Sequence, residues 1–195
     1  MGIWRRESIE LAGAPDLPEG PFEAADVVWF QGRTRYADLR LPQGPAAPFS
    51  EEEAFGGRQR WDAPRLQFLH DLDRSGRLAE DAGDLELVPD PAGDLLLETG
   101  SFVHDGQPCR YLERWRRATP PTPDVRVHEL RSADGGLAGL CLHIHDQRLL
   151  LRRITGEVRA RHTHVETGRT IGSLGDPGAP PGQGADPWRC LEGPA

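Results

Sequence analysis

The sequence predicts an all-β protein built on a single antiparallel up-and-down barrel with a flexible C-terminal tail. Three observations predict it. Short apolar-alternating segments recur at brief intervals, turn-forming residues separate them, and no segment sustains a helical period. Gly (23) and Pro (18) are abundant in the 195 residues and the apolar share is 37%. That composition suits short strands and many turns better than long helices.

The strand candidates follow in order. They are Ile3–Leu11, Asp26–Gln31, Arg35–Leu41, Ala54–Trp61, Arg65–Asp73, Leu85–Val88, Asp94–Thr99, Cys109–Arg116, Val125–Arg131, Leu137–His143, Arg148–Ile154 and Glu157–His162. Asp105-Gly106 and Asp134-Gly135 are hairpin signals, and Asp90-Pro91-Ala92-Gly93 is a third turn. Glu51–Ala54, capped by Ser50, is the one candidate for a short helix. Without crossover helices a parallel sheet is excluded. Consecutive hairpins favour a meander barrel over a sandwich. Residues 1–167 form the barrel domain in this reading. Residues 168–195 form a Gly/Pro-rich tail, from which Trp188 and Leu191 are the side chains able to dock.

Composition excludes several functions. The net charge is -8, so phosphates are repelled and neither nucleic acid nor an anionic membrane is expected as a partner. Every one of the 23 basic residues is Arg. Without Lys there is no Schiff-base chemistry and no lysine-based phosphate loop. Asn is absent too, which removes N-linked glycosylation. The opening residues alternate like a strand rather than forming a leader, and no apolar run is long enough to span a bilayer. Cys109, Cys141 and Cys190 are widely spaced and odd in number. Free thiols in a cytoplasmic setting are expected, with no structural metal and no cofactor.

Strand alternation sorts the side chains into faces. In Arg110–Arg116 the face bearing Arg110, Leu112, Arg114 and Arg116 belongs to solvent. Tyr111, Glu113 and Trp115 then point inward. In Arg35–Leu41, Tyr36, Asp38 and Arg40 share one face and Arg35, Ala37, Leu39 and Leu41 the other, and either list fits the interior. His70 shares a face with Leu66, Phe68 and Leu72, and Glu98 shares one with Leu96. A buried carboxylate needs a partner or a proton. Arg40 and His70 are the expected partners of Glu113. Two readings of these inward groups stay open: a satisfied internal network, or the polar lining of a ligand site. The candidate ligand-binding residues are Tyr36, Asp38, Arg40, His70, Glu98, Tyr111, Glu113 and Trp115, with Glu113 and His70 the candidates for proton transfer.

Several segments also resemble a known family. Trp29-Phe30-Gln31 followed by Tyr36-Ala37-Asp38-Leu39-Arg40-Leu41-Pro42 is similar to the W-x-Q…Y-x-D-x-R-x-P opening of a lipocalin-like family of fungi and bacteria. Ala54-Phe55-Gly56-Gly57 resembles its A-F-x-G element. Phe68 to Asp73 resembles its W-H-H-x-I-D segment, with Phe68 and Leu69 departing from it. Asp81–Asp84 resembles its D-x-G-D turn. Leu97-Glu98-Thr99-Gly100 and Tyr111-Leu112-Glu113-Arg114-Trp115 resemble its E-T-G…Y-x-E-x-W run. The resemblance covers residues 25–120 and implies a calycin-type barrel, without implying an activity.

His143-Ile144-His145 and His162-Thr163-His164 lie near strand ends, and the expectation is solvent-facing histidines at turns. Cys109 follows Pro108 in a hairpin with no neighbouring His, which disfavours a nucleophile. No hydrolase, zinc-protease, dinucleotide or phosphate-loop motif is present. The leading expectation is a barrel binding a small hydrophobic molecule with a polar end. The alternatives are an enzyme of the same fold doing acid/base, cyclisation or isomerisation chemistry on a hydrophobic substrate, and an interaction module with a filled core.

Overall fold

The computed structural model describes residues 1–13, 18, 20–43, 52–76, 80–182 and 188–193. Eight strands close an antiparallel barrel in sequence order: β1 (Gly2–Ala12), β2 (Ala25–Gln31), β3 (Arg35–Pro42), β4 (Glu53–Asp62), β5 (Arg65–Asp73), β6 (Glu80–Val88), β7 (Leu95–His104) and β8 (Gln107–Arg117). Each strand pairs with the next and β8 returns to β1, as a meander requires. Asp105 and Gly106 both take positive φ in the two-residue turn joining β7 to β8. That is the primed-turn geometry an Asp-Gly pair favours, and its twist matches the strands. The expected helix over Glu51–Ala54 does not form where the chain is described, because Glu53 and Ala54 open β4. Ser50 and Glu51 lie outside the described residues.

The barrel holds only the first two-thirds of the predicted strands. The remaining chain forms a second sheet ordered β13-β12-β11-β10-β9-β14, from β9 (Val125–Arg131), β10 (Leu137–Ile144), β11 (Gln147–Ile154), β12 (Glu157–His164), β13 (Thr170–Leu174) and β14 (Arg189–Glu192). Two of these strands come from the segment expected to be a flexible tail. β13 pairs with β12, and β14 pairs with β9. Glu192 anchors the latter to the barrel: its carboxylate accepts hydrogen bonds from the Arg33 and Thr34 amides and the Thr34 hydroxyl. Trp188 packs over Gly139, where a β-carbon would sit 2.8 Å from its ring.

The second sheet explains why β2 is apolar on both faces and why β3 is buried on both. One core lies between sheet and barrel. Ile3, Val28, Phe30, Ala37, Leu39, Ala54 and Leu72 from the barrel wall meet Val127, Leu140, Leu142, Ile144, Leu149, Leu151, Val158, Ala160 and Leu174. A second cluster lines the inside of the barrel: Trp4, Ala25, Val27, Trp29, Tyr36, Leu66, Phe68, Leu96 and Trp115. The β3 face left open by alternation is thereby resolved. Tyr36, Asp38 and Arg40 face the interior, while Ala37 and Leu39 face the sheet.

Candidate functional site

The barrel has two unlike ends. The turns 32–34, 63–64 and 89–94 close one end tightly. There the Trp4 indole donates to Gln31 Oε1 at 3.0 Å, Arg117 lies over the Trp4 ring at 4.1 Å, and Gln59 donates to the Gly32 carbonyl. The other end carries the connections 13–24, 43–52 and 74–79 and the β7–β8 hairpin. Along the interior, an aromatic floor near the tight end gives way to a charged belt nearer the long connections.

The floor is one linked aromatic cluster. Trp29 meets Phe68 and Trp115 edge-on, each with centroids 5.6 Å apart, and Tyr36 meets Phe68 at 4.9 Å. Trp29, Tyr36 and Trp115 are almost fully buried. Among the described residues, the indole N–H of Trp29, the indole N–H of Trp115, the Tyr36 hydroxyl and Nε2 of His70 have no hydrogen-bond partner. Buried polar atoms are rarely left in that state.

The belt is built from Arg6, Asp38, Arg40, Glu98, Tyr111 and Glu113. Glu113 is 6% exposed and faces inward beside Tyr111 and Trp115, as alternation requires. Its partner is neither Arg40 nor His70 but Arg6, at 2.5 Å. Arg6 also grips Glu23 through Nε (2.7 Å) and Nη2 (3.0 Å). A β-bulge at Glu7 hid this pairing. It shifts the β1–β8 register between Arg6 and Ser8, so Trp4 and Arg6 face inward before it and Ile9 after it. A one-residue slip flips every later side chain, and simple alternation cannot foresee it.

Arg40 pairs with Asp38 at 3.1 Å and Glu53 at 3.4 Å, and lies over the Phe55 ring. His70 shares a hydrogen bond with Asp73 at 2.9 Å and stacks on Phe55 at 4.5 Å. A second bulge, at Asp71, turns Leu72 outward to the sheet core while His70 stays inside. Leu72 and His70, which alternation placed on one face, therefore occupy opposite faces.

Glu98 and Glu113 stand directly opposite each other on β7 and β8. Among the described residues Glu98 has no ion-pair partner; it accepts a hydrogen bond from the Tyr111 hydroxyl at 3.2 Å. Burial, reinforced by the Glu113 charge, holds its carboxyl well above the usual range. Burial likewise pushes Asp38 up to about 6, with Arg40 pulling the other way. Burial would raise Asp73, but hydrogen bonds from His70 and Ser75 outweigh it and hold it low. Two glycines make room for the belt. A β-carbon on Gly83 would lie 2.5 Å from the Glu98 carboxyl, and one on Gly100 would lie 2.4 Å from the Tyr111 ring. The Glu98-Thr99-Gly100 run is thus a packing unit in which the cross-strand Tyr111 covers the glycine. The β6–β7 ladder extends only from Asp84–Thr99 to Val88–Leu95.

The expected ligand residues Tyr36, Asp38, Arg40, His70, Glu98, Tyr111, Glu113 and Trp115 are thus brought together inside the barrel. Sequence reasoning missed Arg6, Glu23 and Trp29, although Trp29 stands in the W-x-Q element. Of the histidine pairs, His145 is exposed at the turn after β10, as expected, and His162 departs from expectation. His162 is 2% exposed, edge-on to Phe30 and bonded to Gln147 at 2.8 Å, and burial pulls its ring down to about 4. It serves the sheet–barrel core rather than a solvent-facing turn. Among the described residues no group of His, Cys, Asp and Glu is arranged to hold a metal.

Comparison of the chain with family models, curated proteins and solved structures finds no match. The geometry itself defines the class: a closed eight-stranded antiparallel up-and-down barrel, compatible with a lipocalin-like fold.

Proposed function

We propose that the barrel interior binds one small, largely apolar molecule with a polar end, and that the chain is a cytoplasmic member of the lipocalin-like group its motifs resemble. The observation that carries this reading is the set of unpartnered polar atoms on the aromatic floor: Trp29, Trp115, Tyr36 and His70. An architectural network would satisfy them; a ligand site leaves them for the ligand. Eight strands suit a barrel holding one small ligand. Free Cys109, Cys141 and Cys190 fit a reducing compartment.

N-phenyl-naphthylamine, a neutral apolar fluorophore, tests the proposal by energy transfer from the interior tryptophans. Saturable one-to-one binding is expected, and Phe68→Trp, which fills the floor, should abolish it. Absence of binding to the folded wild-type protein refutes the reading in favour of a filled interaction module.

A second reading has one observation in its favour. Glu98, whose carboxyl burial raises well above the usual range, faces the Arg6-paired Glu113, and two carboxyls in unlike surroundings are what acid/base chemistry on a hydrophobic substrate needs. His70, occupied by Asp73, is then a positioning group. Turnover of a bound carbonyl compound that is lost in Glu98→Gln while binding persists would favour this reading.

A further inference from the structure

We propose that the polar end of the ligand is an uncharged oxygen acceptor, such as a ketone carbonyl, held by the indole N–H groups of Trp29 and Trp115 and the hydroxyl of Tyr36. This rests on the small-molecule reading and names the chemistry that reading leaves open. All three groups are at least nine-tenths buried, belong to one aromatic cluster and lack partners. Two of them can only donate. The missing partner is therefore an acceptor.

Its charge follows from the belt above. Arg6 is already shared by Glu113 and Glu23, and Arg40 by Asp38 and Glu53. Arg117, over the Trp4 ring at the floor end, is held by Asp94. Among the described residues no unpaired interior arginine remains to receive an anionic head, and such a head would sit near Asp38, Glu98 and Glu113. A desolvated anion without a counter-charge is costly. A cationic head has the opposite fault, since an ammonium brings donors to indoles that can only donate. A neutral carbonyl satisfies the orphaned donors without disturbing the belt. The surrounding rings favour a flat aromatic body on that carbonyl.

Four naphthalenes substituted at one ring position separate the possibilities: acetyl, ethyl, carboxylate and aminomethyl. Binding is read by calorimetry and by the indole N–H resonances of the full-length protein. Trp29→Phe and Trp115→Phe assign those resonances and test the donors. The acetyl compound should bind about tenfold more tightly than the ethyl compound, the scale of one recovered hydrogen bond. It should move the Trp29 and Trp115 indole resonances downfield and leave that of exposed Trp61 in place. Either Phe variant should lose the acetyl preference while still binding the ethyl compound. Tighter binding of the carboxylate or the amine overturns the inference and leaves the small-molecule reading standing. Equal binding of the acetyl and ethyl compounds with unmoved indoles overturns it in the same way. If none of the four binds, both the inference and the small-molecule reading fail.

Discussion

Glu98 and Glu113 are cross-strand neighbours of one chemical type, yet the structure gives them opposite roles, and paired substitutions to Gln separate them. Glu113→Gln removes a carboxylate from Arg6, which is buried and charged. Breaking a buried pair costs roughly 3–5 kcal/mol. Here Glu23 keeps its two contacts to Arg6, and the new amide oxygen still accepts a bond, so the lower end applies, about 3 kcal/mol. For a chain of this size each kcal/mol moves the midpoint by roughly 2–4 °C, giving a loss of about 6–12 °C. Glu98→Gln replaces a carboxyl that burial favours in its neutral form with a neutral amide of the same shape, and its oxygen still accepts from Tyr111. Its cost at neutral pH should stay below about 1 kcal/mol, the scale of one neutral hydrogen bond. Thermal and urea denaturation followed by circular dichroism measure both. Equal losses, or a larger loss for Glu98→Gln, would refute the assignment of the proton to Glu98 and of the ion pair to Glu113.

Asp38 is raised from 3.8 to about 6 in the fold, so the unfolded chain releases its proton first. The stability linked to Asp38 is present below pH about 4 and lost as pH rises to about 6. Asp38→Asn should therefore gain on wild type across that window by roughly 3 kcal/mol at most, at about 1.4 kcal/mol per pH unit. His162 runs the other way, because its ring falls from 6.5 to about 4. Its contribution is present above pH about 6.5 and lost as pH falls to about 4, so His162→Gln should lose its disadvantage in acid. Truncation before Gly168 removes β13 and β14 with buried Leu174 and the Glu192 anchor. It should cost at least about 4 kcal/mol from lost apolar burial and hydrogen bonds together, and an unchanged midpoint would return the segment to a loose tail. A thiol reagent should modify exposed Cys190 first. Buried Cys109 and Cys141 should follow only on unfolding, Cys141 being pushed up to about 12 by burial.

The barrel was legible because its signals are local. Alternation in Tyr111-Leu112-Glu113-Arg114-Trp115 placed Glu113 inside, and Asp105-Gly106 marked its hairpin. The second sheet was not legible as a separate layer. Its strands carry the same alternation as barrel strands, and only the double-faced burial of β2 and β3 hints at a covering layer. β13 and β14 escaped notice because they are short and lie within Gly- and Pro-rich chain; tertiary pairing, not local propensity, makes them strands. Two bulges did the remaining damage to the site. Glu7 hid Arg6, and Asp71 separated Leu72 from His70. A bulge is a tertiary accommodation with no fixed residue signature here, so Arg6 could not be matched to Glu113 across 107 residues of chain.

The crystal structure of the complex with N-phenyl-naphthylamine tests the central claim most directly. The account predicts one molecule inside the barrel, bounded by Trp29, Tyr36, Phe68 and Trp115, with Arg6 still bonded to Glu113. A probe found instead on the rim near exposed Trp61 and Leu87, or between barrel and second sheet with the interior unchanged, would contradict it.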